Sequence, residues 1–336
     1  MTRSVWAWVR VLGGAAIIGL LMWRLGTGAF LDGLRVIDGS TVLAAFGIGV
    51  ATTVFSAWRW CLVARGLGMQ LSLRAAVADY YKALFLNAAL PGGVLGDVDR
   101  AVKHGRDEGD VGRGVRAVVL ERTAGQIVLI AVGVTVLCTV PSPVSDHLQQ
   151  HGPIVALAGA AVAGAAALAL LTARRLRRGT SRAARAARTG LAEIRTGLLD
   201  RRTWPGIVLA SAVVLTGHLA TFVVAARAAG SSASLLRLAP LMLLALLAMS
   251  LPVNIGGWGP REGVTAWAFG AAGLSAAQGV TIAVAYGLFA FVAALPGAIV
   301  LILRAAGGGR AVEAGRVAGG RAPVAAEPVE VRAVAD

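Results

Sequence analysis

An all-α integral membrane protein is the fold class that this sequence predicts, on three observations. Of its 336 residues, 57% are hydrophobic and only 15% charged, where a soluble domain carries roughly 25% charged residues. The apolar residues fall in long runs separated by short arginine-bearing segments, the pattern of membrane helices joined by loops. Two further apolar runs are shorter, and each breaks at a Pro-Gly-rich turn followed by charged residues. With a mean hydropathy of +0.74, no soluble block of domain size remains between the runs.

A helix needs about 20 apolar residues to cross the hydrocarbon core. Six runs qualify: 5–23, 41–60, 116–140, 153–173, 204–229 and 279–303. Trp6, Trp8, Trp23, Trp58, Trp60 and Trp204 fall near their ends, where indole rings prefer the interface. The first run has Arg3 ahead of it, as a secretory leader would. Arg10 and Trp23 at its edges, and the lack of a small-x-small cleavage site, make it a transmembrane helix instead.

The runs 75–90 and 238–251 are too short. Helices of that length rise only ~21–24 Å, past the midplane but not across. The first ends at Pro91-Gly92-Gly93 and the second at Pro252, ahead of Gly256-Gly257-Trp258-Gly259-Pro260.

Loop arginines set orientation. Residues 174–202 hold ten arginines and 141–152 hold no Lys or Arg, which puts the first loop in the cytoplasm and the second outside. Arg59, Arg65 and Arg74 mark one cytoplasmic loop, and Arg100, Lys103, Arg106, Arg113 and Arg116 mark another. Residues 75–96 therefore enter from the inside and return there. The same reasoning makes 238–273 enter from the outside and return there, since Arg304 and a basic tail follow the last span. The expectation is a multi-pass protein of the cell membrane with both termini cytoplasmic.

The transmembrane domain, 1–304, then reads as two halves, 1–140 and 153–304. It has six full spans plus two Pro/Gly-broken re-entrant hairpins, eight helical elements in an inverted repeat. Broken helices meeting near the midplane in such a repeat are the architecture of many secondary transporters. The bland reading is eight ordinary kinked helices. The basic loop 174–203 reads either as an amphipathic helix on the inner leaflet, with Leu176, Leu191, Ile194 and Leu198 on its apolar side, or as a solvated loop. The tail 305–336, rich in Gly, Ala, Val and Pro, reads as disordered.

The net charge of +15 does not imply nucleic-acid binding. The arginines lie between apolar runs, as in loops that face anionic lipid. Cys61 and Cys138 fall near opposite membrane faces, which argues against a disulfide.

Charge inside a membrane is costly and invites a functional hypothesis. Asp79 and Lys82 can pair on one helix face. Asp97, Asp99 and Arg100 follow the first glycine turn; Glu121 and Arg122 open the next span; Asn254, Arg261 and Glu262 accompany the second turn. Pro91, Gly92, Gly93 and Gly96 form the first turn, and Pro252, Gly256, Gly257 and Gly259 the second. Glycines let the backbone break and approach a ligand. An arginine beside a helix start suits a phosphate, and both hairpins offer that pairing. The competing reading is that these ion pairs only lock the hairpins into the bundle. Asp97-x-Asp99 also resembles a metal-binding acid pair, a weak motif alone. His147 and His151 read as a solvated loop, and His218 as bonded to a neighbouring carbonyl. Nothing calls for a metal or a cofactor.

Ala57-Trp58-Arg59-Trp60, then Leu90-Pro91-Gly92-Gly93 with Gly96-Asp97 and Arg100, then Glu121-Arg122, then Pro252 with Gly256-Gly257-x-Gly259-x-Arg261-Glu262 stand in a familiar order. From about Trp6 to Arg304 the chain resembles the lysylphosphatidylglycerol synthase transmembrane-domain family, also called flippase-like. The resemblance implies a unit that moves aminoacylated phospholipid between leaflets. It implies site positions at Asp97, Arg100, Glu121, Arg122, Arg261 and Glu262. A stand-alone member without the soluble synthase domain is the expectation, so aminoacyl transfer is not implied. Other relatives stand alone or are attached to glycosyltransferases for polyprenyl lipids, which leaves the lipid open. The expected ligands are membrane lipids with anionic headgroups, and a separate synthase or transferase partner is compatible. An enzyme of glycolipid or polyprenyl-phosphate metabolism and a scaffold for a partner enzyme are the alternatives.

Overall fold

The computed structural model describes residues 27–90, 93–140, 182–250 and 258–304, with Gly19, Met22 and Trp23 besides. The expected spans 5–23 and 153–173 and the tail 305–336 otherwise lie outside the described residues, as do turn residues Pro91, Gly92, Pro252, Gly256 and Gly257, and Asn254.

The elements are α-helices: α1 (Gly28–Arg35), α2 (Gly39–Gly66), α3 (Leu73–Ala89), α4 (Leu95–Asp107), α5 (Val111–Thr139), α6 (Arg182–Leu198), α7 (Trp204–Ala228), α8 (Leu235–Met249), α9 (Pro260–Ala271) and α10 (Ala276–Ala294). Past a turn at Leu295 the last span continues to Arg304. Among the described residues, four helices are long and apolar enough to cross a membrane: α2, α5, α7 and Ala276–Arg304. The shorter α3 and α8 match the two broken runs, and α4 and α9 follow them in the chain. Within the basic loop, residues 182–198 form the helix α6. α6 packs on α2 and α5, with Glu193 in an ion pair with Arg116 at 2.5 Å.

The four helices α2–α5 and the four helices α7–α10 are built alike. After α2 and after α7 the chain turns at Gly68 (φ 75°) and Gly230 (φ 74°). Each turn is closed by an amide bond back to the helix end, Met69 N–H to the Ala64 carbonyl and Ser231 N–H to that of Ala226, both 2.9 Å. The serine hydroxyls of Ser72 and Ser234 then cap α3 and α8. Gly93 (φ 60°) and Gly259 (φ 108°) precede α4 and α9, and Gly109 (φ 73°) and Gly273 (φ 68°) follow them. Asp110 and Ser275 cap α5 and α10. The Arg113 amide holds the Asp110 carboxyl below the usual carboxylate range. Thus the six left-handed glycines among the described residues fall in three matching pairs.

Packing follows the same correspondence. Within each set, consecutive helices pack together, and so do its first and last helices. Across the sets, α2 packs on α7, α3 on α10, and α8 on α5. Small residues permit these crossings. A Cβ on Gly297 would overlap the backbone of Tyr81 in α3, whereas one on Gly47 would meet nothing. Gly297→Ala is expected to cost about 1–3 kcal/mol through overpacking, and Gly47→Ala to be neutral or stabilising. Thermal unfolding of the two variants in detergent checks this.

Candidate functional site

The hydrophobic runs carry the charged residues inward, and their partners come from other helices. Glu121, fully buried on α5, accepts bonds from Arg59 Nε (3.0 Å) and Nη2 (2.6 Å), Arg100 Nη2 (2.8 Å) and the Tyr80 hydroxyl (3.3 Å). Arg59 also donates to Ser211 on α7 (3.1 Å). Arg100 Nε and Arg122 Nη2 each donate to Asp97 Oδ1 at 2.9 Å. The Asn87 amide donates to Asp97 Oδ2 (3.1 Å), and its carbonyl accepts from Gly96 N–H (2.8 Å), which ties the first glycine turn to α3.

The second hairpin repeats this arrangement in short form. Gly259 N–H donates to Glu262 Oε2 (2.7 Å), and Arg261 Nε donates to Glu262 Oε1 (2.9 Å), with Arg261 Nη2 on the same oxygen. The Arg100 guanidinium lies 4.7 Å from the Trp60 ring centre and 4.5 Å from that of Tyr80. The Arg261 guanidinium lies 5.0 Å from Trp258 and 5.3 Å from Tyr286. Each hairpin arginine thus contacts one Trp and one Tyr ring and is bonded to a fully buried glutamate. Cation–π contact compensates lost hydration in such a setting. On α10, Gly287 leaves room for this: a Cβ there would overlap Arg261.

A cavity of about 550 Å³ joins the two constellations. Arg59, Asp97 and Arg122 line it from one set of helices, and Trp258, Arg261 and Tyr286 from the other. Thr52, Val214 and Gly287 also line it, and they stand near the midpoints of α2, α7 and the last span. Among the described residues, four arginines (Arg59, Arg100, Arg122, Arg261) face three carboxylates (Asp97, Glu121, Glu262), which leaves one positive charge in excess. Arg122 is 42% exposed on its side chain, against 0% for Arg100 and 2% for Arg261, and it lines the cavity. An anion is the ligand this arrangement can hold.

Of the residues singled out in the sequence, Asp97, Arg122, Arg261 and Gly93 line the cavity. Arg100, Glu121 and Glu262 stand behind them as partners. Several readings need correction. Arg59 does not mark a solvent loop; it is 4% exposed within α2. Asp79 and Lys82 do not pair: Asp79 binds Lys103 (2.9 Å) and Arg304, and Lys82 binds Asp99 (2.6 Å). Asp97 and Asp99 do not converge as a metal pair, since Asp99 faces a separate surface groove. No group of three His, Cys, Asp or Glu poised for a metal occurs among the described residues. His218 bonds the Tyr286 hydroxyl at 2.9 Å, not a carbonyl. Tyr80, Asn87, Trp258, His218 and Tyr286 were not foreseen as site residues. The aromatic character of Trp258, set inside the second glycine turn, is the one local signal that pointed there.

Neither curated proteins nor solved structures yield a match to this chain. The family model described as the lysylphosphatidylglycerol synthase TM region matches residues 7–297, a stretch that includes both hairpins and the whole cavity lining. This multi-pass helical membrane protein belongs to that family.

Proposed function

We propose that the chain is a flippase-like lipid transporter, moving an anionic or aminoacylated phospholipid, or a polyprenyl-linked lipid, between leaflets. The observation that carries this reading is the cavity near the midpoints of the spans, lined from both sets of helices and holding an excess of arginine. Arg122 and Arg261 hold the lipid phosphate, Asp97 meets a cationic headgroup group where there is one, and the acyl chains stay in the bilayer. The two sets of helices form an inverted repeat of re-entrant hairpins, a reading supported by the paired glycine turns and the matched packing. Opposed broken helices of this kind place a substrate site between them. The termini lie in the cytoplasm, as the basic loops imply.

The test is reconstitution in liposomes that carry headgroup-labelled phosphatidylglycerol, followed with a membrane-impermeant quencher. Wild type is expected to expose inner-leaflet label. Glu262→Gln is expected to slow this about tenfold, since it removes the charge that fixes Arg261 in a buried, charge-assisted bond. Protein-containing liposomes that behave like empty ones would sink the proposal.

A further inference from the structure

His218 is a titratable group of the cavity wall to which the proposed transport gives no role. It sits on α7, half-buried, and lines the cavity. Its Nδ1 is 2.9 Å from the hydroxyl of Tyr286, a residue only 1% exposed. The Tyr286 ring stacks on Phe222, with centroids 4.2 Å apart, and touches the Arg261 guanidinium. The chain of contacts therefore runs from the imidazole through Tyr286 to Arg261 and on to Glu262 and the Gly259 amide.

We infer that His218 is a proton-binding site coupled to the anion held in the cavity, so that one proton enters with the anionic headgroup. The inference rests on the lipid-transport reading and deepens it by naming the coupled ion. Two effects link the ligands. The first is electrostatic. A charged imidazole joins Arg59 of α2, Arg122 of α5 and Arg261 of α9 in one cavity, opposed there by Asp97 of α4 and, behind the wall, by Glu121 and Glu262. The neighbouring groups on α3 and α10 are the hydroxyls of Tyr80 and Tyr286, and α8 presents Met249 and, just beyond its end, Ser250. Added positive charge is disfavoured there until an anion enters, and each ligand then strengthens the other by the same factor.

The second effect is hydrogen bonding. Neutral His218 can accept a hydrogen bond from the Tyr286 O–H at Nδ1. In the imidazolium both ring nitrogens are donors, so the Tyr286 oxygen accepts and its own O–H turns away from the imidazole. Tyr286 lines the cavity, and the released O–H becomes one more donor for an anion. No bond is made or broken beyond this transfer: hydronium from solution gives up the proton, leaving water, and the imidazole holds it.

The experiment uses the full chain in nanodiscs of zwitterionic lipid, with water-soluble short-chain phosphatidylglycerol as the probe. Binding is measured at pH 5.5 and 7.5, and proton uptake with an indicator dye in weak buffer. The expected result is binding about fivefold or more tighter at the lower pH, with net proton uptake during titration at intermediate pH. In His218→Gln, whose amide oxygen can still accept from Tyr286, the two affinities are expected to coincide. Tyr286→Phe keeps the ring under Arg261 and is expected to weaken the pH dependence. Melting curves confirm that each variant is folded. Equal wild-type affinities at both pH values, or the same pH dependence in His218→Gln, would overturn the inference and leave the transport proposal standing. Absence of binding at either pH would overturn both.

Discussion

Glu121→Leu is expected to cost the folded protein about 3–5 kcal/mol, because it leaves buried charges without their counter-ion. Arg59 and Arg100 are 4% and 0% exposed, and both put their guanidinium groups on this one carboxylate. Tyr80 would lose its acceptor as well. The loss would reach α2, α3, α4 and α5 together, since one residue on each contributes to the cluster. The measurement is thermal unfolding of detergent-solubilised protein, with Glu121→Gln as the milder companion: it keeps the shape and an acceptor but not the charge. A melting temperature for Glu121→Leu within a degree or two of wild type would show that the cluster does not hold the fold.

Arg122→Ala is expected to separate transport from folding. Its side chain is 42% exposed, and half-exposed ion pairs contribute little to stability. Asp97 retains Arg100 and Asn87 as partners. The melting temperature should therefore change little. Translocation of labelled phosphatidylglycerol should fall by roughly 10–100-fold, the factor for losing a hydrogen bond to a charged group. It also removes the excess positive charge of the cavity. Arg122→Lys should restore part of the rate, since a point charge replaces the charge but not the planar fork. Transport unchanged in Arg122→Ala would place the anion elsewhere.

Much of the fold was legible because membrane length and turn chemistry are local signals. The short runs ending at Pro91 and Pro252 identified α3 and α8 to within a few residues, since clustered Pro and Gly end a helix, whereas Pro240 alone does not interrupt α8. The charged positions of the candidate site stood out in the sequence, because charge in an apolar run is conspicuous. Their partners were not. Arg59 stands between Trp58 and Trp60, near the end of its run, and nothing nearby shows that Glu121 lies across from it. Asp79 and Lys82 show the opposite error. A pair three apart on a helix contributes only about 0.2–0.5 kcal/mol, and Lys103, Arg304 and Asp99 from other elements outcompete it. His218 and Tyr286 are ordinary residues of apolar helices until the tertiary fold brings them together.

The exchange of packing partners has a consequence for synthesis. The first hairpin is seated on the last span: α3 packs on α10, Gly297 crosses the Tyr81 backbone, and Arg304 pairs with Asp79. These are among the last-made of the described residues, and they complete a unit whose first parts left the ribosome more than two hundred residues earlier. Until then Asp79 has Lys103 but not Arg304, and the early hairpin rests only on the helices of its own set. The contacts between the first hairpin and the last span therefore form only once nearly all of the described chain has been made.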